Sequence, residues 1–187
     1  MQSAQSTDHI VTIDKKHDIV LGKDTNTGAF YLWFKLTNTS CDLPKLINLK
    51  LFNLIADLNK DVIEELHIAN ENAVNQANIL YIFKQFGKDL GISQKCMYVN
   101  TSMETEGNKV IINGTAIDPP EELAQRFGTI SNSNSKMIFS WDNPHEITVS
   151  YMFHAHINDK LPKYMENIMG LLTKKMFIRM KNCIEKM

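Results

Sequence analysis

Two histidines near the end of an apolar stretch, His154 and His156, have the spacing that best suits a metal ion. On a β-strand, residues two apart point to the same side, so both imidazoles could bind one cation. A metal site also needs a third and a fourth ligand, and no regular spacing brings His145 or Asp159 to the pair. The pair therefore supports two hypotheses, a metal-dependent hydrolase that uses His154 and His156, or ordinary strand histidines.

Other patterns typical of catalysis are weak or absent. The acidic pairs Glu64-Glu65 and Glu121-Glu122 are adjacent in sequence, and neighbouring helix residues point about 100° apart, so neither pair forms an acid–base dyad by itself. The sequence contains no GxSxG nucleophile elbow, no GxxxxGK[ST] phosphate loop and no GxGxxG dinucleotide-binding loop. We therefore expect a non-catalytic protein without a cofactor.

The 187-residue chain has the composition of an ordinary globular protein, with 43% hydrophobic and 22% charged residues and a formal net charge of −1. Its size predicts a single domain over residues 1–187, with residues 1–8 as a flexible N-terminal segment. The near-neutral charge disfavours nucleic-acid binding. No apolar run is long enough to predict a transmembrane helix.

The three cysteines, Cys41, Cys96 and Cys183, are odd in number and far apart. They include no CxxC pair that could bind zinc or exchange disulfides. The polar N-terminus also lacks the apolar region of a secretory signal. Together these features predict a reducing, cytoplasmic location.

Hydrophobic patterning predicts an α+β fold, a mostly antiparallel sheet with two central helices and a long C-terminal amphipathic helix packed on the sheet. The two central helices are predicted from Leu43 to about Val62 and over residues 72–90, where apolar residues keep helical spacing. A short helix is expected after Pro119-Pro120. Strands are predicted at residues 9–14, 17–21, 29–36, 95–104, 108–118, 136–141 and 145–157.

The strongest periodic signal is the C-terminal segment, which we predict to be one helix over residues 160–186. Sulphur-containing and aliphatic side chains form a stripe along it, namely Met165, Met169, Leu172, Met176, Met180, Cys183 and Met187, of which the first five are the candidate ligand- or partner-facing residues. Polar residues, among them Lys174 and Lys181, lie on the opposite side. The stripe could be ordinary core, the wall of an apolar-ligand cavity, or a face for a protein partner or a membrane surface.

The second half of the chain resembles the helix-grip fold of START and Bet v 1-like proteins, because antiparallel strands at residues 95–157 precede one long closing helix. The resemblance covers residues 95–187 and rests on element order. It implies a curved sheet that wraps the C-terminal helix and binds an apolar ligand. The chain departs from that pattern in having three predicted strands before the central helices, where the helix-grip fold has one.

Our preferred hypothesis is a non-catalytic protein that acts by self-association or as a component of a larger assembly. It rests on the absence of catalytic motifs, on the aromatic strand at residues 29–36 and on apolar side chains on more than one flank of the last helix. A protein partner or homo-oligomer is then expected, with an apolar small molecule as a further possibility. The alternatives are an apolar, lipid-like ligand-binding protein with the methionine stripe facing the ligand, and the metal-dependent hydrolase.

Overall fold

A computed structural model describes residues 9–69, 75–85, 88–131, 134–157 and 167–187. The segment expected to be flexible, residues 1–8, lies outside the described residues, and so does the beginning of the predicted last helix. In chain order the strands and helices are β1 (Ile10–Asp14), β2 (Ile19–Asp24), β3 (Phe30–Thr37), α1 (Leu51–Leu58), β4 (Ile63–Ala69), β5 (Gln76–Phe83), β6 (Lys95–Thr105), β7 (Lys109–Ala116), α2 (Glu121–Arg126), β8 (Gly128–Ser131), β9 (Ser135–Asn143), β10 (Glu146–Phe153), β11 (His156–Ile157) and α3 (Ile168–Ile184).

Most strands belong to one antiparallel sheet with the order β1-β2-β3-β10-β9-β7-β6-β5-β4. The short strand β8 pairs in parallel with β6, and β11 pairs with β8. Helix α3 packs against β2, β3 and α1. The predicted α+β class, an antiparallel sheet with a long C-terminal helix packed on it, is confirmed.

Strand β3 shows why the sheet has a well-defined inner face. Its side chains alternate between buried and more exposed, and Phe30, Phe34 and Leu36 are among those that point inward. The Phe34 ring lies 5.7 Å from the ring of Phe177 on α3, measured between centroids. The aromatic strand predicted at residues 29–36 therefore supplies the surface on which the last helix packs.

The prediction of a helix over residues 72–90 is wrong, because residues 76–83 form strand β5. Its inner face lies against the main core, and its outer face, through Leu80 and Ile82, packs against Phe127 and the α2 residue Leu123. A strand that is buried on both faces has an almost continuous apolar run, so it lacks the alternation that identifies a strand from sequence.

The first central helix is shorter than predicted. A 3₁₀ turn at Leu43–Leu46 precedes α1, and the two are separated where the side-chain oxygen of Asn48 accepts a hydrogen bond from the backbone N–H of Lys50. Such local side-chain bonds compete with helix formation. The buried amide of Asn59 donates to the carbonyl of Ile55 and lies where α1 ends.

Candidate functional site

A cavity of about 90 Å³ lies between α3, α1 and the inner face of the sheet. A smaller cavity of about 40 Å³ lies deeper against the sheet. Seven of the ten residues that line the smaller cavity, among them Phe52 and Met137, also line the larger one, so the two cavities adjoin. We call the two together the α3 cavity.

The sheet wall of the α3 cavity follows from strand register. Tyr81 on β5 is opposite Met97 on β6, and Met137 on β9 is opposite Tyr151 on β10. Ser135, two residues before Met137, points to the same side because strand side chains alternate. All five line the cavity. The pleat of four strands thus places long, flexible side chains and three hydroxyl groups on one concave surface.

The helix wall consists of one side of α3. Met169, Leu172 and Met176 line the cavity, together with Phe177, whose ring centroid lies 5.3 Å from that of Tyr151. Met169, Leu172 and Met176 are three and four positions apart, and Phe177 comes eight positions after Met169, so all four lie on one side of the helix. Helix α3 therefore closes the cavity with thioether, aliphatic and aromatic groups.

Close contact between α3 and the sheet depends on Gly170. A Cβ atom at this position would lie 2.6 Å from the ring of Phe30, which is itself buried and stacked on Phe153. No real Cβ atom tolerates that distance, so glycine allows the helix to approach the sheet beside the cavity.

The few polar groups in the cavity wall are uncharged hydroxyls and one imidazole. They belong to Tyr81, Thr101, Ser135, Tyr151, Thr173 and His154, and no Asp, Glu, Lys or Arg occurs among the described lining residues. Burial raises the pKa of Tyr151 to about 12, with the neighbouring Ser135 opposing part of the shift. Burial also raises the pKa of Tyr81, and nearby Tyr151 adds to the effect. Both phenols are therefore neutral hydrogen-bonding groups at ordinary pH.

Charged residues hold α3 from outside the cavity. On one side, the ammonium of Lys174 lies 2.8 Å from the carboxylate of Asp14 on β1. The Lys174 side chain is only 2% exposed. Lys174 was expected on the polar side of the helix and is instead buried, because β1 reaches over this flank and supplies the countercharge. The hydrogen bond from Lys174 lowers the pKa of Asp14.

On the other side, Arg179 and Lys175 both pair with Asp61, which follows α1. The two cations, Arg179 first, hold the pKa of Asp61 well below its usual range. Arg179 also donates to the side-chain oxygen of Asn59 at 3.1 Å. Helix α3 is thus tied by charges to β1 on one flank and to the end of α1 on the other, with the apolar cavity between them.

The residues of the predicted methionine stripe have different positions in the structure. Met169, Leu172 and Met176 line the α3 cavity. Met180 is fully buried in the main core and is not among the cavity-lining residues. Met165 lies outside the described residues.

The strand expected to carry both histidines is interrupted. Strand β10 ends at Phe153, and His156 begins β11, which pairs with β8 instead of continuing the main sheet. His154 lies between these strands, lines the α3 cavity and donates its backbone N–H to the carbonyl of Asn134. Within the described ranges, no group of three His, Cys, Asp or Glu side chains is placed to hold a metal ion. Asp159, considered as a further ligand, is not described.

An antiparallel sheet with a long C-terminal helix across its inner face, and a cavity between them, defines the helix-grip architecture. Searches of protein-family models and of curated proteins give no match. Solved structures do match. Human STARD10 superposes with a TM-score of 0.72 at 12% identity, over 97% of this chain and 74% of that one. The lipid transfer and protein localization domain of human StarD13 gives 0.72 at 8% identity, over 95% and 90% of the two chains. A STAR-related lipid transfer protein fragment from Xanthomonas axonopodis gives 0.66 at 9%, over 94% and 98%.

These superpositions show a shared fold and extend the resemblance inferred from residues 95–187 to nearly the whole chain. The sequence predicts that the three strands before the central helices, β1 to β3, depart from the helix-grip pattern. Because 94–97% of the chain is covered, these strands belong to the fold that the chain shares with the START structures. That expectation is corrected.

The preferred hypothesis of self-association or assembly is wrong, because the solved structures that share this fold include lipid-transfer proteins. The apolar groups that suggested a partner surface are mostly turned inward, Phe30 and Phe34 into the core and Met169 toward the cavity. Among the described residues, the exposed large hydrophobic side chains are Val11, Leu171 and Met187. No helix in the described part of the chain is long and apolar enough to cross a membrane.

Sequence reasoning missed the hydroxyl groups of the site. Tyr81 lies in the segment predicted to be a helix, and Ser135 directly precedes the strand predicted at residues 136–141. Thr173 lies among the residues of the predicted methionine stripe and belongs to no catalytic or binding motif. The available signal was the position of a Thr in α3 between Met169 and Met176, where the other residues of that face are apolar.

Proposed function

We propose that this protein binds an apolar, lipid-like ligand in the α3 cavity. The observation that carries the proposal is an almost wholly apolar cavity between α3 and the sheet, in a fold shared with lipid-transfer domains. The ligand-facing residues are Met169, Leu172 and Met176 on the helix and Met97 and Met137 on the sheet. A concave apolar pocket with a few placed polar groups is typical of small-molecule sites.

The size of the cavity sets a condition on binding. Ligand pockets usually measure about 300–1,000 Å³, and the larger part of the α3 cavity measures about 90 Å³. A lipid therefore enters only if the walls move apart. Methionine side chains are unbranched and rearrange at little cost, and four of them, Met97, Met137, Met169 and Met176, line the cavity. The binding energy then includes the cost of opening.

The experiment incubates the full chain with mixed vesicles of phosphatidylcholine, a sterol, a diacylglycerol and a free fatty acid. After the vesicles are removed, native mass spectrometry detects any lipid that remains bound. The test variant is Val99→Phe, because Val99 is 6% exposed and lines both parts of the cavity, so a benzyl group there occupies the ligand's space. The matched control is Val11→Phe, since Val11 is exposed on β1.

We expect wild type and Val11→Phe to carry lipid in equal amounts and Val99→Phe to carry at least about tenfold less, with all three folded by circular dichroism. Filling an existing cavity avoids much of the roughly 1–3 kcal/mol cost of overpacking a tight core, so Val99→Phe should remain stable enough to assay. A wild-type protein that takes up no lipid contradicts the proposal. Equal lipid content in a folded Val99→Phe places binding elsewhere and contradicts it too.

A further inference from the structure

Among the described residues, the hydroxyl group of Thr173 has no hydrogen-bond partner although it is buried. The residue is 7% exposed and lines the α3 cavity. Across the residues that the structure describes, its side chain makes no hydrogen bond. Buried hydroxyls are nearly always hydrogen-bonded, because an unmade bond destabilises the folded state. A hydroxyl on the cavity face of α3 therefore indicates that a molecule in the cavity supplies the partner.

The facing wall carries hydroxyl groups as well. Tyr81, Ser135 and Tyr151 line the same cavity, and their side chains share the inner face of the sheet. Gly114, opposite Ser135 on β7, makes room for them, since a Cβ there would lie 2.5 Å from the Ser135 hydroxyl oxygen. Neutral donors and acceptors thus occupy both walls of the cavity.

Charge is absent from these walls in the described residues, although α3 carries four basic residues between 174 and 181. Lys174 pairs with Asp14, while Lys175 and Arg179 pair with Asp61, all outside the cavity. An ionised group buried without a countercharge or full hydration is strongly unfavourable. A carboxylate or ammonium group inside the α3 cavity would have no opposite charge among the described lining residues.

We propose that the α3 cavity selects apolar molecules that carry an uncharged hydroxyl or carbonyl group, and discriminates against molecules whose buried group is ionised. Thr173 and Tyr81, from opposite walls, bind that group. The inference rests on the proposed apolar-ligand function and adds the chemistry of the ligand's polar end.

Three probes share one aromatic ring and differ in its substituent: toluene is apolar, benzyl alcohol carries a neutral hydroxyl and benzoate carries a carboxylate. Each is titrated into the full chain by isothermal calorimetry at pH 8. We expect benzoate to bind at least about tenfold more weakly than benzyl alcohol. Thr173→Val and Tyr81→Phe should each lower the ratio of benzyl alcohol to toluene affinity by about three- to tenfold, the range for one neutral hydrogen bond. Toluene affinity itself should be retained.

Matched controls make the same exchanges away from the cavity. Thr148→Val changes an exposed residue of β10, and Tyr31→Phe changes a side chain on the outer face of β3, so both should keep the wild-type ratio. If Tyr81→Phe does not fold, Ser135→Ala replaces it as the sheet-side variant.

The outcomes distinguish this inference from the proposed function. If toluene binds but the ratio is the same in every variant, or if benzoate binds as tightly as benzyl alcohol, the selectivity is refuted and apolar binding stands. If neither the three probes nor the vesicle lipids bind, the proposed function fails and this inference fails with it.

Discussion

The ion pair between Lys174 and Asp14 leads to an asymmetric prediction. The two charges lie 2.8 Å apart, but the Lys174 side chain is 2% exposed and the Asp14 side chain 27% exposed. Removing either partner breaks the same contact. The charge left behind, however, is nearly cut off from water in one case and partly hydrated in the other.

The burial values set the magnitudes. Asp14→Ala leaves a buried ammonium unpaired, and breaking a buried pair in this way typically costs about 3–5 kcal/mol of unfolding free energy. Lys174→Met leaves a carboxylate that water can reach and keeps an unbranched chain of similar length in the packed site, so we expect a change within about 1 kcal/mol. The double variant should resemble Lys174→Met. Once the Lys174 ammonium is gone, removal of the Asp14 carboxylate leaves no buried charge unpaired.

Urea unfolding at pH 7 measures all four proteins, and the double-mutant cycle isolates the coupling between the two residues. We expect Asp14→Ala to be less stable than Lys174→Met by at least about 2 kcal/mol. Equal losses in the two single variants, or a larger loss in Lys174→Met, would refute the reasoning from burial.

Three further predictions concern the contacts around α3. Gly170→Ala should lower stability by about 1–2 kcal/mol in urea unfolding, because overpacking against Phe30 outweighs the better helix propensity of alanine. Because the pKa of Tyr151 is raised to about 12, the folded chain retains a proton that the unfolded chain releases between about pH 10 and pH 12, so wild-type stability should fall over that range. Tyr151→Phe should remove about 2–3 kcal/mol of that decline. Pairing with Arg179 lowers the pKa of Asp61, so the ionised Asp61 carboxylate contributes its full stabilisation of the fold above about pH 4, and this contribution is lost as pH falls. Asp61→Asn should cost under about 1 kcal/mol of unfolding free energy at pH 7, because the side chain is half exposed.

The controls for these variants are equally specific. Tyr98→Phe, on the outer face of β6, makes the same exchange as Tyr151→Phe without entering the cavity and serves as the matched control. A Gly170→Ala protein as stable as wild type would show that the Phe30 ring moves aside freely. An Asp61→Asn protein that loses as much stability between pH 4 and pH 2 as wild type would show that this carboxylate is not responsible for the acid sensitivity assigned to it.

The local sequence pattern was sufficient to predict strands and helices whose two faces lie in different environments, one buried and one exposed. Strand β3 alternates because one face lies on the core and the other is partly open to water, and the hairpin of β6 and β7 is bounded by turn residues. Helix α3 has residues at helical spacing that line the cavity. In each case burial recurs along the chain with the period of the strand or helix. The hydrophobic residues in the sequence follow the same period.

Tertiary structure alone decided the rest. Strand β5 was predicted as a helix because α2 covers its outer face and removes the polar half of its pattern. The burial of Lys174 depends on Asp14, which is 160 residues away in sequence, and no local rule includes such a partner. The cavity itself arises from Tyr81, Ser135 and Thr173, which come from separate segments. The amino-acid sequence by itself determined the fold class and the helix that closes it, because those depend on local periodicity. The site, and with it the proposed function, depends on which distant segments meet, and only the packed chain decides that.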